Sequence, residues 1–247
     1  MSEPALAPQA AEPERDCPLC PRLAAFRAAN RTASPGWHNA PVPSFGGTDA
    51  RLLVVGLAPG LKGANRTGRP FTGDYAGALL YSTLLKFGFA TGDYRADPAD
   101  ELRLTGARIT NAVRCVPPEN RPTPLESATC RRFLAAEIAA MPNLSAILAL
   151  GSIAHASVLA ALGEKPARFP FAHGALHGLS GGLLLADSYH CSRLNTNTGR
   201  LTEAMFHQVF ADLARAIEPP SRQAEPLRIE CPRPSRTASR PPLGEDT

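Results

Sequence analysis

The sequence lacks any long apolar run. No stretch of about 18 or more consecutive apolar residues occurs among its 247 residues, so no ordinary transmembrane helix is expected. The opening residues, MSEPALAPQAAEPERD, also lack the basic start and apolar core of a secretory signal. We therefore expect a cytoplasmic protein that does not enter a membrane.

Two common phosphate-binding signatures are missing as well. Lys62 is followed by glycine, whereas a Walker A loop requires serine or threonine at that place. Gly56 is followed by Leu57 and Ala58, which breaks the G-x-G-x-x-G pattern of dinucleotide-binding loops. The glycine-rich stretch 56–68 instead predicts backbone that can closely approach a planar or anionic ligand.

Charge and composition favour one globular domain between two tails. The formal net charge of +4 permits a nucleic-acid partner without requiring one. Residues 1–15 are rich in Ala, Pro and Glu, and residues 219–247 are rich in Pro, Arg and Ser. Such segments cannot bury enough apolar surface to fold, so we predict a flexible N-terminal tail, a domain over 16–218 and a disordered C-terminal tail.

Strand-like and helix-like patterns alternate between these tails. The predicted strands cover 51–58, 107–113, 145–151 and 182–190, and the predicted helices cover 17–29, 75–87, 124–140, 152–162 and 201–217. This alternation is typical of an α/β protein with a parallel sheet covered by helices on both faces. Ligands of such sheets bind beyond the carboxyl ends of the strands, where this sequence is rich in Gly, Pro and Asn.

Four of the six cysteines form a pattern. Cys17 and Cys20 are spaced as C-x2-C, and Cys115 and Cys130 are spaced as C-x14-C. Two such pairs predict a site with four thiolate ligands, and both zinc and a [4Fe–4S] cluster are compatible with it. Cys191 and Cys231 fall outside this set.

Several stretches in order along the chain resemble the uracil-DNA glycosylase superfamily, and its family 5 in particular. They are the leading C-x-x-C, GLAPG at 56–60, GANRTGRPFTGD at 63–74, ITNAVRCVPPENRP at 109–122 and YHCSRLNTNTGRLT at 189–202. The resemblance implies a three-layer α/β/α sandwich with a central four-stranded parallel sheet. It also implies a [4Fe–4S] cluster on the four cysteines and the removal of uracil and other deaminated bases from DNA.

Two motifs differ from the family's relatives. The tripeptide after the first glycine commonly contains a polar residue, but Leu57 and Ala58 are apolar. The resemblance then assigns catalysis to the aspartate of GRPFTGD, which is Asp74. Residues 190–192 read His-Cys-Ser where His-Pro-Ser is common, and the loss of proline predicts a less rigid loop.

The resemblance and the chemistry of the N-glycosidic bond together suggest roles for individual residues. Asp74 would orient water and stabilise a cationic sugar, and His190 would donate a hydrogen bond to the departing base. The base-binding residues would be Gly56, Leu57, Ala58, Phe71 and Asn111, with Phe71 stacking on the base and Asn111 bonding its edge. The DNA-contacting residues would be Ser192, Arg193, Leu194 and Asn195, with Leu194 as a wedge.

Structural alternatives exist for most of these residues. Asp74 stands where a helix cap is expected, Asn111 could cap a turn, and His190 could be a core or turn histidine. Leu194 could pack beneath its loop. His155 is interpreted as structural and near the cysteines, and four strand-end arginines are candidates for phosphate contacts: Arg66, Arg69, Arg114 and Arg121.

Three functions remain open at this point. The first is a monomeric uracil-DNA glycosylase, and the second is a glycosylase with a wider range of damaged bases, which the apolar Leu57 and Ala58 favour. The third is a non-catalytic nucleic-acid-binding protein whose fold a metal stabilises.

Overall fold

The structure is a computed structural model that describes residues 12–217. Its strands are β1 (Leu52–Gly56), β2 (Ala90–Thr91), β3 (Arg103–Leu104), β4 (Ala107–Asn111), β5 (Ala146–Leu150), β6 (Leu176–Gly178) and β7 (Leu184–Ser188). Its helices are α1 (Pro21–Ala33), α2 (Ala64–Thr67), α3 (Tyr75–Lys86), α4 (Pro124–Ala139), α5 (Ser152–Ala161), α6 (Arg193–Asn197) and α7 (Glu203–Ile217). No helix in this part of the chain is long and apolar enough to cross a membrane.

The central sheet has the order β4-β1-β5-β7-β6. Its first four strands are parallel, which confirms the predicted four-stranded parallel arrangement. A fifth strand, β6, pairs antiparallel with β7 at one edge. This edge strand was not predicted because its three residues are too few to show a periodicity.

Alternate residues of β1 face two separate cores. Leu52 and Val54 belong to the core formed with α3 and α7, whereas Leu53 and Val55 belong to the core formed with α4 and α5. All five residues of β1 are buried, as expected for a parallel strand that helices cover on both faces. The three-layer α/β/α arrangement is therefore confirmed.

The predicted helix 17–29 begins later than expected. Pro21 occupies its first position, where the fixed φ angle and missing N–H of proline are favourable. The preceding C-x2-C segment consequently lies outside the helix. Three short features were also missed, namely α2, α6 and the β2–β3 hairpin.

Most of both predicted tails lies outside the described residues, as does Cys231. The described residues of the predicted N-terminal tail make defined contacts, and those of Glu12 reach the sheet. The carboxylate of Glu12 lies 2.8 Å from Arg114 and 3.3 Å from Arg108. These contacts place residue 12 against β4 and the loop that follows it.

Asp187 of β7 joins three elements in the interior. Its side chain is fully buried, and its carboxylate oxygens lie 2.7 Å from His155 Nδ1 and 3.2 Å from His177 Nε2. His155 Nε2 also lies 2.9 Å from the carbonyl oxygen of Phe169. His155 is thus structural, as expected, but its partners are Asp187 and Phe169 rather than the cysteines.

We expect the substitution Asp187→Ala to destabilise the fold by about 1–3 kcal/mol, because it leaves the buried His155 and the half-buried His177 without their acceptor. Urea denaturation would measure the loss. The matched control is Asp212→Ala on α7, since Asp212 is 40% exposed and pairs with Arg215 one turn away. That control should change the free energy of unfolding by less than about 0.5 kcal/mol, and equal losses would contradict the role given to Asp187.

Candidate active site

A cavity of about 320 Å³ opens where the carboxyl ends of β1, β4 and β7 meet. Gly56 and Asn111 end β1 and β4 side by side in the sheet, because they are partners in its register. Eight of the residues predicted for the site line this cavity: Leu57, Ala58, Phe71, Asp74, Asn111, His190, Ser192 and Arg193. Residues that are separated by up to 136 positions in the sequence are therefore brought together at one edge of the sheet.

Gly56 does not line the cavity but makes room for two residues that do. A Cβ atom at this position would collide with Asn111 Oδ1 and lie 2.6 Å from the ring of Phe71. Asn111 is only 3% exposed. The missing side chain of Gly56 thus allows the amide and the ring to occupy the wall of the cavity.

Phe71 has a strained backbone that its surroundings hold in place. Its φ of 53° lies in the left-handed region, which is unfavourable for a bulky side chain. Its carbonyl oxygen accepts a hydrogen bond of 3.2 Å from the Tyr94 hydroxyl and packs directly against Gly77 of α3. The ring stacks with His190 at a centroid distance of 5.9 Å and an interplanar angle of 27°.

The loop that carries Phe71 and Asp74 is anchored by Arg69. Its guanidinium donates two hydrogen bonds, of 2.7 and 2.8 Å, to the Asp100 carboxylate, and a third of 2.7 Å to the hydroxyl of Thr72. Three aromatic rings surround this cation, those of Phe45, Tyr81 and Tyr94. The guanidinium in turn holds the pKa of Asp100 well below its usual range.

The predicted phosphate contact is therefore wrong for two of the four arginines. Arg69 is 5% exposed and bound to Asp100, and Arg114 is 1% exposed and bound to Glu137 at 2.6 Å. Neither can reach DNA, because both neutralise buried carboxylates. Arg66 and Arg121 are exposed and remain candidates.

Asp74 both lines the cavity and caps a helix. Oδ1 accepts a hydrogen bond of 3.1 Å from the backbone N–H of Gly77 and caps α3. Oδ2 lies against the backbone of Gly60 and Gly63, where side chains would crowd it. Burial raises the pKa of the Asp74 carboxyl above its ordinary value.

His190 faces the cavity from a loop that is tied down on both sides. Its backbone carbonyl accepts a hydrogen bond of 2.8 Å from the Asn195 amide. The next residue, Cys191, is fully buried, and its thiol donates to the carbonyl oxygen of Ala76 at 3.5 Å. A buried thiol thus anchors this loop where proline would have stiffened it. Burial also lowers the pKa of the His190 imidazole.

The rim of the cavity carries the residues predicted to contact DNA. Ser192 caps α6, and the guanidinium of Arg193 lies 5.2 Å from the centroid of the Tyr75 ring. Leu194 is 72% exposed, so it does not pack beneath its loop. Asn195, in contrast, faces inward toward the backbone of His190.

Six lining residues were not assigned to the site from the sequence, and two of them, Tyr75 and Asn120, carry polar side chains. Tyr75 is the first residue of α3, and its side chain is 42% exposed at the mouth of the cavity. Asn120 has a φ of 56° in the Pro-rich loop between Cys115 and α4. Asparagine tolerates this left-handed conformation better than most residues, which is the one signal that the sequence offered.

The four predicted ligand cysteines come together beside the cavity. Cys17, Cys20, Cys115 and Cys130 surround a single small space between α1, α4 and the loop after β4. Burial raises the pKa of the Cys20 thiol to about 11 and that of the Cys115 thiol to about 12. The backbone N–H of Arg114 donates to Cys130 Sγ at 3.3 Å. Four soft donors at one place form a set suited to a thiophilic metal.

Ala58 connects the cysteines with the cavity. It lines the cavity and also packs against the apolar cluster of Leu23, Val113, Cys115 and Cys130. The backbone next to it is fixed by a hydrogen bond of 3.0 Å from the N–H of Val113 to the carbonyl oxygen of Leu57. The first loop of the candidate site is thus held between the cavity and the four cysteines.

Comparison with known proteins agrees with this geometry. The family model for the uracil DNA glycosylase superfamily matches residues 43–214. A type-5 uracil-DNA glycosylase of Thermus thermophilus is 47% identical over 205 residues, which cover 81% of this chain and 93% of that protein. The type-5 enzyme of Mycobacterium leprae is 43% identical over 79% of this chain and 89% of its own length. That of Pyrobaculum aerophilum is 41% identical over 79% of this chain and 86% of its own length. The chain therefore belongs to the uracil DNA glycosylase superfamily and, within it, to the type-5 uracil-DNA glycosylases.

Proposed function

We propose that this protein hydrolyses the N-glycosidic bond of uracil in DNA and so starts base excision repair. The observation that carries the proposal is the meeting of Phe71, Asp74, Asn111 and His190 around one cavity, in a chain of this family. DNA containing uracil is its substrate. Other deaminated bases are further substrates, a proposal that the apolar side chains of Leu57 and Ala58 support.

Recognition requires the base to be flipped out of the DNA double helix. Unstacking a base costs a few kcal/mol, and the cost is smallest at a mismatch. The exposed Leu194 is suited to fill the gap that the base leaves behind. Inside the cavity the ring of Phe71 offers a stacking surface, and the amide of Asn111 can pair with the N3–H and O4 of uracil.

Cleavage develops positive charge on the sugar and negative charge on the departing base. Asp74 stabilises the positive charge on the sugar, and its Oδ2, which is not engaged in the helix cap, can orient a water molecule. His190 stabilises the negative charge on the base by donating a hydrogen bond to uracil O2. The lowered pKa of His190 keeps its imidazole neutral at physiological pH, so it can donate without first releasing a proton.

The metal centre is proposed to be a [4Fe–4S] cluster on Cys17, Cys20, Cys115 and Cys130. Four cysteine thiols that line one small, largely buried space are the donor set of such a cluster. The N–H···S bond at Cys130 is of the kind that stabilises a cluster thiolate. Such a cluster supplies a covalent link between α1, α4 and the loop after β4.

The non-catalytic alternative is not favoured, because a binding protein needs neither the buried Asp74 nor the neutral His190 at its cavity. A monomeric state and a cytoplasmic location remain proposals.

The first test is excision of a single uracil from duplex DNA. We expect the anaerobically purified protein to release uracil, so that alkali cleaves the strand at the resulting abasic site. A thymine duplex is the control for nuclease activity. The absence of cleavage by protein with an intact metal centre would contradict uracil as substrate, and a hypoxanthine duplex would then separate another lesion from a binding-only protein.

The variant Asp74→Asn isolates the chemistry of this carboxylate. Asparagine caps helices about as well as aspartate, so folding and DNA affinity should be retained. The single-turnover excision rate should fall by about 10²–10³-fold or more, because the amide cannot stabilise a cationic sugar. A rate close to that of the unmodified protein, with an unchanged melting temperature, would reduce Asp74 to a helix cap.

The pH dependence of excision tests both assignments. Asp74 must be ionised, and its pKa is raised, so the rate should be lost on acidification at a higher pH than an ordinary aspartate would give. Burial lowers the pKa of His190 below its ordinary value, so its titration should not produce a change in rate around pH 6.5. The variant His190→Ala should be slower at every pH but keep the same acidic limb. A rate that rises on acidification would instead require an imidazolium.

Metal analysis tests the proposed cofactor. We expect about four irons and four sulfides for each chain, and the variant Cys130→Ser should lose both. Cys191→Ser is the matched control, because this buried thiol packs against Ala76 in the core rather than with the other four cysteines. A content of one zinc per chain without sulfide would contradict the proposed cluster and indicate a single Zn²⁺ instead.

A further inference from the structure

Arg27 is a buried cation that forms no ion pair among the described residues, since the nearby Asp16 is paired with Arg31. It lies on α1 and is 5% exposed. Its Nη2 donates to the carbonyl oxygen of Cys17 at 3.0 Å, and its Nη1 lies 3.6 Å from Cys115 Sγ. Among residues 12–217, no acidic side chain lies within the 4.0 Å that defines an ion pair with it.

The other buried arginines of the described chain are each neutralised. Arg69 pairs with Asp100, and both Arg108 and Arg114 pair with Glu137. An isolated charge is costly to bury, because the protein interior replaces the solvation of water poorly. A neutral thiol does not compensate for it. Arg27 is therefore placed for a partner that bears negative charge on the cysteine sulfurs.

We propose that Arg27 is the counter-charge of the metal centre, a positioning residue that neutralises the ligand thiolate of Cys115 and fixes Cys17 through its backbone. The proposal rests on metal binding by the four cysteines and does not depend on glycosylase activity. Four thiolates around a [4Fe–4S] core leave a net negative charge, which a buried guanidinium stabilises more effectively than an exposed one.

Two consequences follow for the properties of the centre. A nearby cation favours the more negative, reduced state, so Arg27 raises the reduction potential. Its contacts with Cys115 Sγ and the backbone of Cys17 also hold two proposed ligands in place, so Arg27 slows the loss of iron. Neither property enters the excision reaction, and both can be measured without DNA.

The experiment compares Arg27→Met and Arg27→Lys in the full-length protein. Methionine keeps an apolar stem without charge, whereas lysine keeps the charge but cannot span both Cys17 and Cys115 with a planar fork. Voltammetry measures the reduction potential, and the decay of visible absorbance in the presence of an iron chelator measures cluster loss. We expect Arg27→Met to lower the potential and to shorten the half-life several-fold, and Arg27→Lys to restore the potential in part.

Arg132→Met is the matched control. Arg132 follows Cys130 by two residues but is exposed, so solvent and salt screen its charge. Its removal should change the potential and the half-life less than the removal of Arg27 does. Equal effects of the two substitutions would mean that Arg27 acts only as one of several nearby positive charges, which would contradict its specific role.

The outcomes separate the proposals from one another. Arg27→Met with the potential and the half-life of the unmodified protein would overturn the role of Arg27. If Arg27→Met does not fold, Arg27→Lys provides the test. A half-life and a reduction potential equal to those of the unmodified protein would support a role for the positive charge at position 27. They would contradict a role for the planar guanidinium. Loaded protein that fails to excise uracil overturns only the proposed function. Protein that binds no metal at all overturns both the cluster and the role of Arg27.

Discussion

The buried ion pair between Arg69 and Asp100 is the interaction on which the candidate active site most depends. The loop it holds connects α2 with α3 and carries Phe71 and Asp74, and no regular hydrogen-bond ladder fixes that loop. A two-point contact of 2.7 and 2.8 Å defines both position and orientation, which a single hydrogen bond would not. Separating the two partners would leave an unpaired charge in the interior, so the loop has no alternative arrangement of similar free energy. The left-handed backbone of Phe71 persists under this constraint.

The central sheet and the grouping of the four cysteines could be predicted because their signals are local. An apolar run such as 51–58 is typical of a buried parallel strand, and the structure has β1 at Leu52–Gly56 within it. The C-x2-C spacing likewise marks Cys17 and Cys20 before any fold is known. Predicted strand ends also located the cavity, since parallel strands bring their carboxyl ends to one edge.

The parts that could not be predicted depend on pairing across the chain. The sequence around Arg69 does not indicate that its partner is Asp100, which lies 31 positions away. Arg69 was therefore interpreted as a phosphate contact, although it belongs to a buried ion pair. The two uses of Asp74 were treated as alternatives because a sequence does not show that one oxygen can cap α3 while the other faces the cavity. Cys191 was expected to loosen its loop, but its contact with Ala76 fastens it to the start of α3.

The position of Ala58 has a consequence for engineering. Its methyl group borders the candidate cavity on one side and the cluster that contains Cys115 and Cys130 on the other. A larger side chain introduced at position 58 to narrow the cavity would therefore also press on these cysteines. The shape of the cavity and the arrangement of the cysteines are thus coupled through one small residue, so they cannot be optimised independently in directed evolution.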